Sequence, residues 1–517
     1  MLKSLKRFAA VLVALAMMTV GLGVFAEAPA VPTAQAVYAR GNTLKSDVRI
    51  EIDQATVTGL MGMMMPSSGE AGAAEAQNQI IQLVIGAVNK LKATVLSSSS
   101  AASFVLGTDK GDLLDVQAMM GAEGGAVTTN LLPGIKLALP AEMVTSILES
   151  QAALAAPQVS EEMMKPYGEA YAKFFQEEVL AKATAETGTY DFEGIGSLTQ
   201  KHSLPLTQGL LAKAMTTFLD VFKQDTAAQA MLDNYLKSMN TATQMGEEAA
   251  EEPAVDMSVG IKMGQAESIK NSAELITSLE GAIAELNQKP EEVLGNQVLY
   301  TAEGSPAVYS ETEFLADAKP VAQFAFGVNK TAEAQTVKAT FTTNAPAMGA
   351  TEQPATADWA ALKAAALDGS NPGVVLVQFS ADGKADGTNH VATFSLDARA
   401  QGMPIVIAGD TTTALTGDYT SAGKFSIAAL SPTPLLTVHY AANEVKDAPA
   451  ALAAADKTVM LAEDTPEADQ SALSEALQKA LPELMQRLQT ALPEEAPTLL
   501  MLLQGPPSTD AVTTNPS

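Results

Sequence analysis

Three histidines, His202, His390 and His439, are the only imidazoles in the 517 residues, so any histidine-based metal or acid–base chemistry must be built on them. A zinc centre needs at least three protein ligands, commonly with two closely spaced in sequence. None of the three has a second His or a carboxylate at ligand spacing, and each reads as a sheet residue. The stretch Asp382-Gly383-Lys384-Ala385-Asp386-Gly387 has the outline of a calcium loop. Such a loop requires an oxygen ligand at its third position and Glu at its twelfth, where this chain has Lys384 and Thr393; the segment reads as a hairpin turn. Asp191/Glu193 and Glu311/Glu313 are carboxylates two apart, which places each pair on one face of a strand. Paired acids can hydrolyse glycosides, but sugar sites also present aromatic platforms, and one Trp and nine Tyr supply few. Both pairs read as solvated strand faces. There is no nucleophile elbow, Ser-x-x-Lys, His-Glu-x-x-His, P-loop or dinucleotide fingerprint. No catalytic, cofactor-binding or metal residue is assigned, no cofactor is implied, and the chain reads as non-enzymatic.

The N-terminus is more informative. Lys3, Lys6 and Arg7 precede an apolar run from Phe8 to Ala26 that ends in Val24-Phe25-Ala26, the pattern of a signal peptide cut before Glu27. A second cut is compatible with Ala34-Gln35-Ala36. The expectation is export, to the cell envelope or the exterior. Absence of Cys removes disulfides, thiolate chemistry and a lipid-anchored N-terminus, and export without Cys points to a bacterial product. Without the leader's three cations, 28 basic residues face 59 acidic ones, a net charge near −31. Such a surface repels phosphate backbones, so nucleic acid is not a partner, and no later segment is apolar enough to span a membrane.

Period-two alternation places Val48 and Ile50 opposite Asp47, Arg49 and Glu51, with the strand carried on to Ala55–Val57. Gly69–Ala74 reads as a loop and Gln77–Leu91 as a helix with Ile80, Ile81, Val84, Val88 and Leu91 on its packed stripe. Short strands follow at 92–97, 102–106, 113–119, 126–131 and 135–139, separated by Gly-bearing turns. The centre is helical from Glu161 to Val179, breaks for a hairpin over 189–206, and resumes with Thr207 as a helix cap. Residues 244–255 form an acidic linker. Strands at 296–301, 306–309, 321–329 and 335–343, a helix around Trp359, and a second meander over 374–440 complete the sheet segments. Thr465-Pro466-Glu467 opens a Leu-rich helix that Pro482 kinks. The methionine clusters at 61–65, 119–120 and 163–164 read as core, although thioethers also suit adaptable apolar surfaces.

The fold class is therefore α+β: two antiparallel, curved, hairpin-rich sheet units with covering helices, joined by a helical segment. The boundaries are 1–26 signal peptide, 27–44 tether, 45–160 first unit, 161–290 helical segment, 291–460 second unit, 461–504 amphipathic helices and 505–517 disordered tail. In element order and apolar character, residues 40–150 and 295–445 resemble the bacterial lipoprotein-carrier superfamily of LolA and LppX/LprG type. The chain differs in lacking a lipobox Cys and in its long helical centre. The resemblance implies a curved sheet that holds acyl chains against helices, so the expected partner is a lipid, an amphiphile or a cell-envelope component. The alternative is a structural or surface-interaction protein with no small-molecule ligand.

Overall fold

A computed structural model describes residues 34–64, 71–144, 161–234, 236, 270–344, 357–460 and 466–504, with small gaps at 122, 317, 332, 372, 401–402 and 432. The leader, the acidic linker, Thr465 and the C-terminal tail lie outside these residues. The chain is α+β, dominated by antiparallel sheet.

Helix α1 (Ala34–Ala39) leads into β1 (Thr43–Ile52); both begin inside the stretch read as a tether. The strand does not continue into Ala55–Val57. The Asp53 carboxylate accepts from the Thr56 amide at 2.7 Å and the Asp53 carbonyl from the Val57 amide, an N-cap that starts α2 (Gln54–Met64). Helix α3 (Ala71–Lys90) absorbs the part of the expected Gly69–Ala74 loop that is described. It buries Ile85 and Ala87 and leaves Ile80 and Val84 36% exposed, so its packed face is rotated from the expected stripe. The turn signals hold for β2 (Lys92–Ser97), β3 (Ala101–Thr108), β4 (Gly111–Gly121), β5 (Gly124–Thr129) and β6 (Ile135–Leu139). Gly124 and Gly134 turn the chain with φ of +129° and +76°, a region closed to most side chains.

Helix α4 (Glu161–Phe174) runs into a π-helical segment, Phe175–Leu180, that buries Phe175 and Val179. The expected hairpin is β7 (Thr184–Phe192) and β8 (Gly196–Thr207). Thr207 caps α5 (Gln208–Phe222) by accepting from the Leu210 amide at 3.2 Å. Removing that acceptor in Thr207→Ala is expected to lower stability by about 0.5–2 kcal/mol, read in urea denaturation, with Thr207→Ser restoring most of it. Then come α6 (Ser272–Leu286), β9 (Val293–Thr301), β10 (Val308–Ala316), β11 (Lys319–Lys330), β12 (Ala334–Asn344) and α7 (Trp359–Leu367). Strands β13 (Val374–Asp386) and β14 (Asn389–Ala400) extend almost to Gly387, φ +62°, so most of the expected 382–387 turn is strand. The chain ends with β15 (Met403–Ala414), β16 (Thr420–Ala429), β17 (Leu436–Val445), β18 (Lys457–Met460), α8 (Glu467–Ala491) and α9 (Ala496–Gln504).

These elements form two compact units. Of the described residues, those between 161 and 384 and between 396 and 400 belong to unit 1, and those between 34 and 144, 385 and 395, and 403 and 504 belong to unit 2. In unit 1 the antiparallel order is β7-β8-β9-β10-β11-β12-β13. One face carries Leu204, Leu206, Leu299 and Phe314 into a closed core with Phe174, Leu211 and Met215 of the helices. In unit 2 the order is β15-β16-β17-β1-β2-β3-β4-β5-β6-β18, antiparallel except for the β6–β18 pair. Its packing is sparser. Helix α8 lies on β4, and its Ala472, Leu473 and Ala476 meet Ile135, Leu137 and Val459. Leu477 and Leu481, on the same helix, remain 50% and 56% exposed.

Candidate functional site

Alternation along β15, β16, β17, β1 and β2 sends successive side chains to opposite faces, and the register shows which residues share one. One transverse row on the first face is Asp410, Lys424, His439, Arg49 and Lys92. Lys45, Asp47 and Glu51 alternate onto that same face of β1, where His439 Nε2 lies 3.0 Å from Glu51 Oε2. This is a solvated, mutually compensating surface.

The opposite face is apolar. Ile407, Ile427, Leu436 and Ile52 form one row, and Gly409, Phe425, Val438 and Ile50 the next. A third runs Thr411, Gly423, Tyr440, Val48, Ala93 and Leu106, and a fourth Thr413, Ser421, Ala442, Ser46, Val95 and Phe104. Phe394 of β14 covers Gly409, where a Cβ would collide with its ring, and lies 6.3 Å from the Phe425 ring. Ile405, Ile50 and Phe394 are 50%, 39% and 38% exposed. On these five strands the one large apolar side chain of this face that is buried is Leu44. Isolated exposed apolar residues are ordinary in proteins, but a contiguous apolar surface marks an interaction site.

One end of this face is closed by α1. Val37 is fully buried, and the Tyr38 hydroxyl lies 2.8 Å from Ser97 Oγ. Glu444, opposite Leu44 in the register, accepts from both Arg40 Nε and Nη2, from Asn42 Nδ2 at 2.5 Å and from the Tyr419 amide at 3.0 Å. These donors, Arg40 foremost, pull its carboxyl down to about 2. Because the folded value lies below the unfolded one, the clasp's contribution is fully present above about pH 4.5 and is lost as pH falls toward 2. Glu444→Gln should lower the melting temperature at pH 7, and the gap from wild type should close progressively below pH 4 in the same buffer series. A gap that persists at acid pH would refute the clasp's charge dependence.

The residues singled out by their chemistry do not converge. His202 lies in β8 of unit 1, 3.4 Å from the Thr301 hydroxyl, with its pKa lowered by burial, while His390 and His439 belong to unit 2. Among the described residues no group of three or more His, Asp or Glu side chains could hold a metal ion. Asp191 and Glu193 are exposed at the β7–β8 turn, where Asp191 accepts from Ser197. Glu311 and Glu313 do share a face of β10, but Glu311 is not solvated: it is half-buried, and burial raises its carboxyl. Glu313 accepts from Trp359 Nε1 at 2.9 Å, an anchor for α7. Met119 is 47% exposed rather than core.

Unit 1 also carries an open groove of about 890 Å³ between α4, its π-helical continuation and α5. Lys173, Glu177, Asp220 and Asp225 give it a charged lining, and Glu178 is held by Lys182 and Lys213 at 2.5 and 2.7 Å. Met163, Pro166, Ala170, Phe174 and Val221 line the same groove, so its walls are mixed in character. Among the described residues, no helix is long and apolar enough to cross a membrane. No protein-family model, curated protein or solved structure matches this chain.

Proposed function

We propose that this is an exported, non-enzymatic protein of the bacterial cell envelope or exterior whose unit 2 binds an apolar or amphiphilic ligand on the face of β15–β17, β1 and β2. The observation that carries this reading is the segregation of side chains across one sheet. Charge occupies one face, while the other keeps Ile, Val, Leu and Phe half-exposed over consecutive rows. Maintaining such a surface in water is unfavourable, and each ligand methylene that leaves water against it contributes about 0.8 kcal/mol. The binding mode is desolvation of alkyl chains, which fits the lipoprotein-carrier resemblance in the placement of ligand against a sheet.

Unit 1, with its closed core, fits a scaffold role within the same protein. Native mass spectrometry of protein purified from its own host tests the proposal. A reproducible added mass that organic extraction removes is the expected result. A clean apo mass, together with no saturable uptake of the uncharged fluorophore Nile red, would leave the structural or surface-interaction role instead.

A further inference from the structure

The apolar face is graded along its strands. At the β1 C-terminal end the rows are wholly aliphatic, Ile407-Ile427-Leu436-Ile52. Six residues back along β1, about 20 Å at about 3.3 Å per residue, the row contains Thr413, Ser421 and Ser46. There the Ser421 hydroxyl lies 3.1 Å from that of Thr413 and 3.3 Å from that of Thr411. Thr411, Tyr440 and Ser46 are only partly buried, so their hydroxyls remain within reach of a ligand.

The strand rows at this end contribute no charge besides Glu444; Asp418, exposed in the loop before Tyr419, acts on Arg40 from outside the rows. Glu444 is the one ionisable carboxylate that the register of these five strands puts on the apolar face, and its oxygens are already occupied by Arg40, Asn42 and the Tyr419 amide. Arg40 is correspondingly committed. On the rows of these five strands a cationic head would find no available anion and an anionic head no available cation, and either would lose hydration there without compensation. Hydroxyls can both donate to and accept from an uncharged polar head.

We infer that the ligand is an amphiphile with an uncharged, hydroxyl-bearing head, lying along the strands with its tail at Ile407, Leu436 and Ile52 and its head at Thr411, Tyr440 and Ser46 beside α1. This rests on the reading of the apolar face as the ligand site. The clasp of α1 onto Glu444 closes the head end.

Displacement of Nile red by three amphiphiles with the same dodecyl chain tests it: dodecyl maltoside, dodecanoate and dodecyltrimethylammonium, each below its micellar concentration. Dodecyl maltoside is expected to displace the dye at least tenfold more effectively than either charged compound. The double substitution Thr411→Val, Ser46→Ala should erase that advantage, and Ile407→Asp should weaken all three. Equal potency of the three, or preference for a charged head, overturns the head assignment while leaving the apolar site standing. Failure of the protein to bind Nile red at all overturns both.

Discussion

Val438→Glu is expected to reduce Nile red binding by at least tenfold while the protein remains folded. Val438 lies between Phe425 and Ile50 in the second apolar row. A carboxylate there must either face the ligand, forfeiting its hydration, or drag water onto the surface that the alkyl chain would desolvate. Val438 is only partly buried, so its carboxylate stays in contact with water in the unliganded protein and the fold tolerates it. Its stability cost should be about 1 kcal/mol, within the common range for point substitutions. Thr437→Glu provides the control. Thr437 pairs with Glu51 and Ser426 and alternates onto the charged face, so binding should match wild type. Equal loss in both variants would show that charge anywhere on β17 disrupts the sheet, and the apolar face would lose its assigned role.

Leu211→Ala is expected to have the largest effect on stability and none on ligand uptake. Leu211 is 1% exposed in α5 and packs within the closed core of unit 1 alongside Leu206 and Leu299. Truncation removes buried methyl groups and leaves a cavity whose walls relax only in part, a cost of about 2–5 kcal/mol. The expected signature is a lower midpoint for one calorimetric or urea transition. Nile red affinity at temperatures below that transition should be unchanged, because every residue assigned to the ligand belongs to unit 2. Loss of dye binding in the still-folded variant would place the ligand against the unit 1 core instead.

The two substitutions separate what the two sheets do with similar apolar composition. In unit 1 the face bearing Leu204, Leu206 and Leu299 is sealed by α4, its π-helical segment, α5 and α6. In unit 2 the equivalent aliphatic rows of β15–β17 and β1 remain half-exposed among the described residues. Ile, Val and Leu thus serve as core in one unit and as surface in the other. The driving force of burial is the same for both; the difference lies in how completely the packed elements cover each face, since α3 does pack against β1 yet Ile50 stays 39% exposed.

Local patterns determined the identities of most elements. Alternation of Val48 and Ile50 with Asp47, Arg49 and Glu51 marks β1, Gly134 and Gly194 sit at turns with φ of +76°, and Thr207 caps α5, because period, backbone freedom and capping act over only a few residues. The same short range explains the errors. Asp53 capping a helix outweighed the β-branched character of Thr56 and Val57, and α3 buried Ile85 and Ala87 in place of Ile80 and Val84. The chemistry of single residues was legible only as absence of motif; that Glu311 is half-buried whereas Asp191 is exposed depends on which strands flank them. The candidate site was less legible still. Val48 and Ile50 could be assigned to one side of a strand from sequence, but nothing in that segment specifies whether the side is covered. That was decided in the tertiary structure, where β1 pairs with β17, Thr43 to Val445, joining residues about 400 apart, and with β2, Leu44 to Ser97, about 50 apart. The tertiary structure aligned separate alternating strands into continuous rows, and so made one uncharged surface from aliphatic residues that in sequence look like ordinary core.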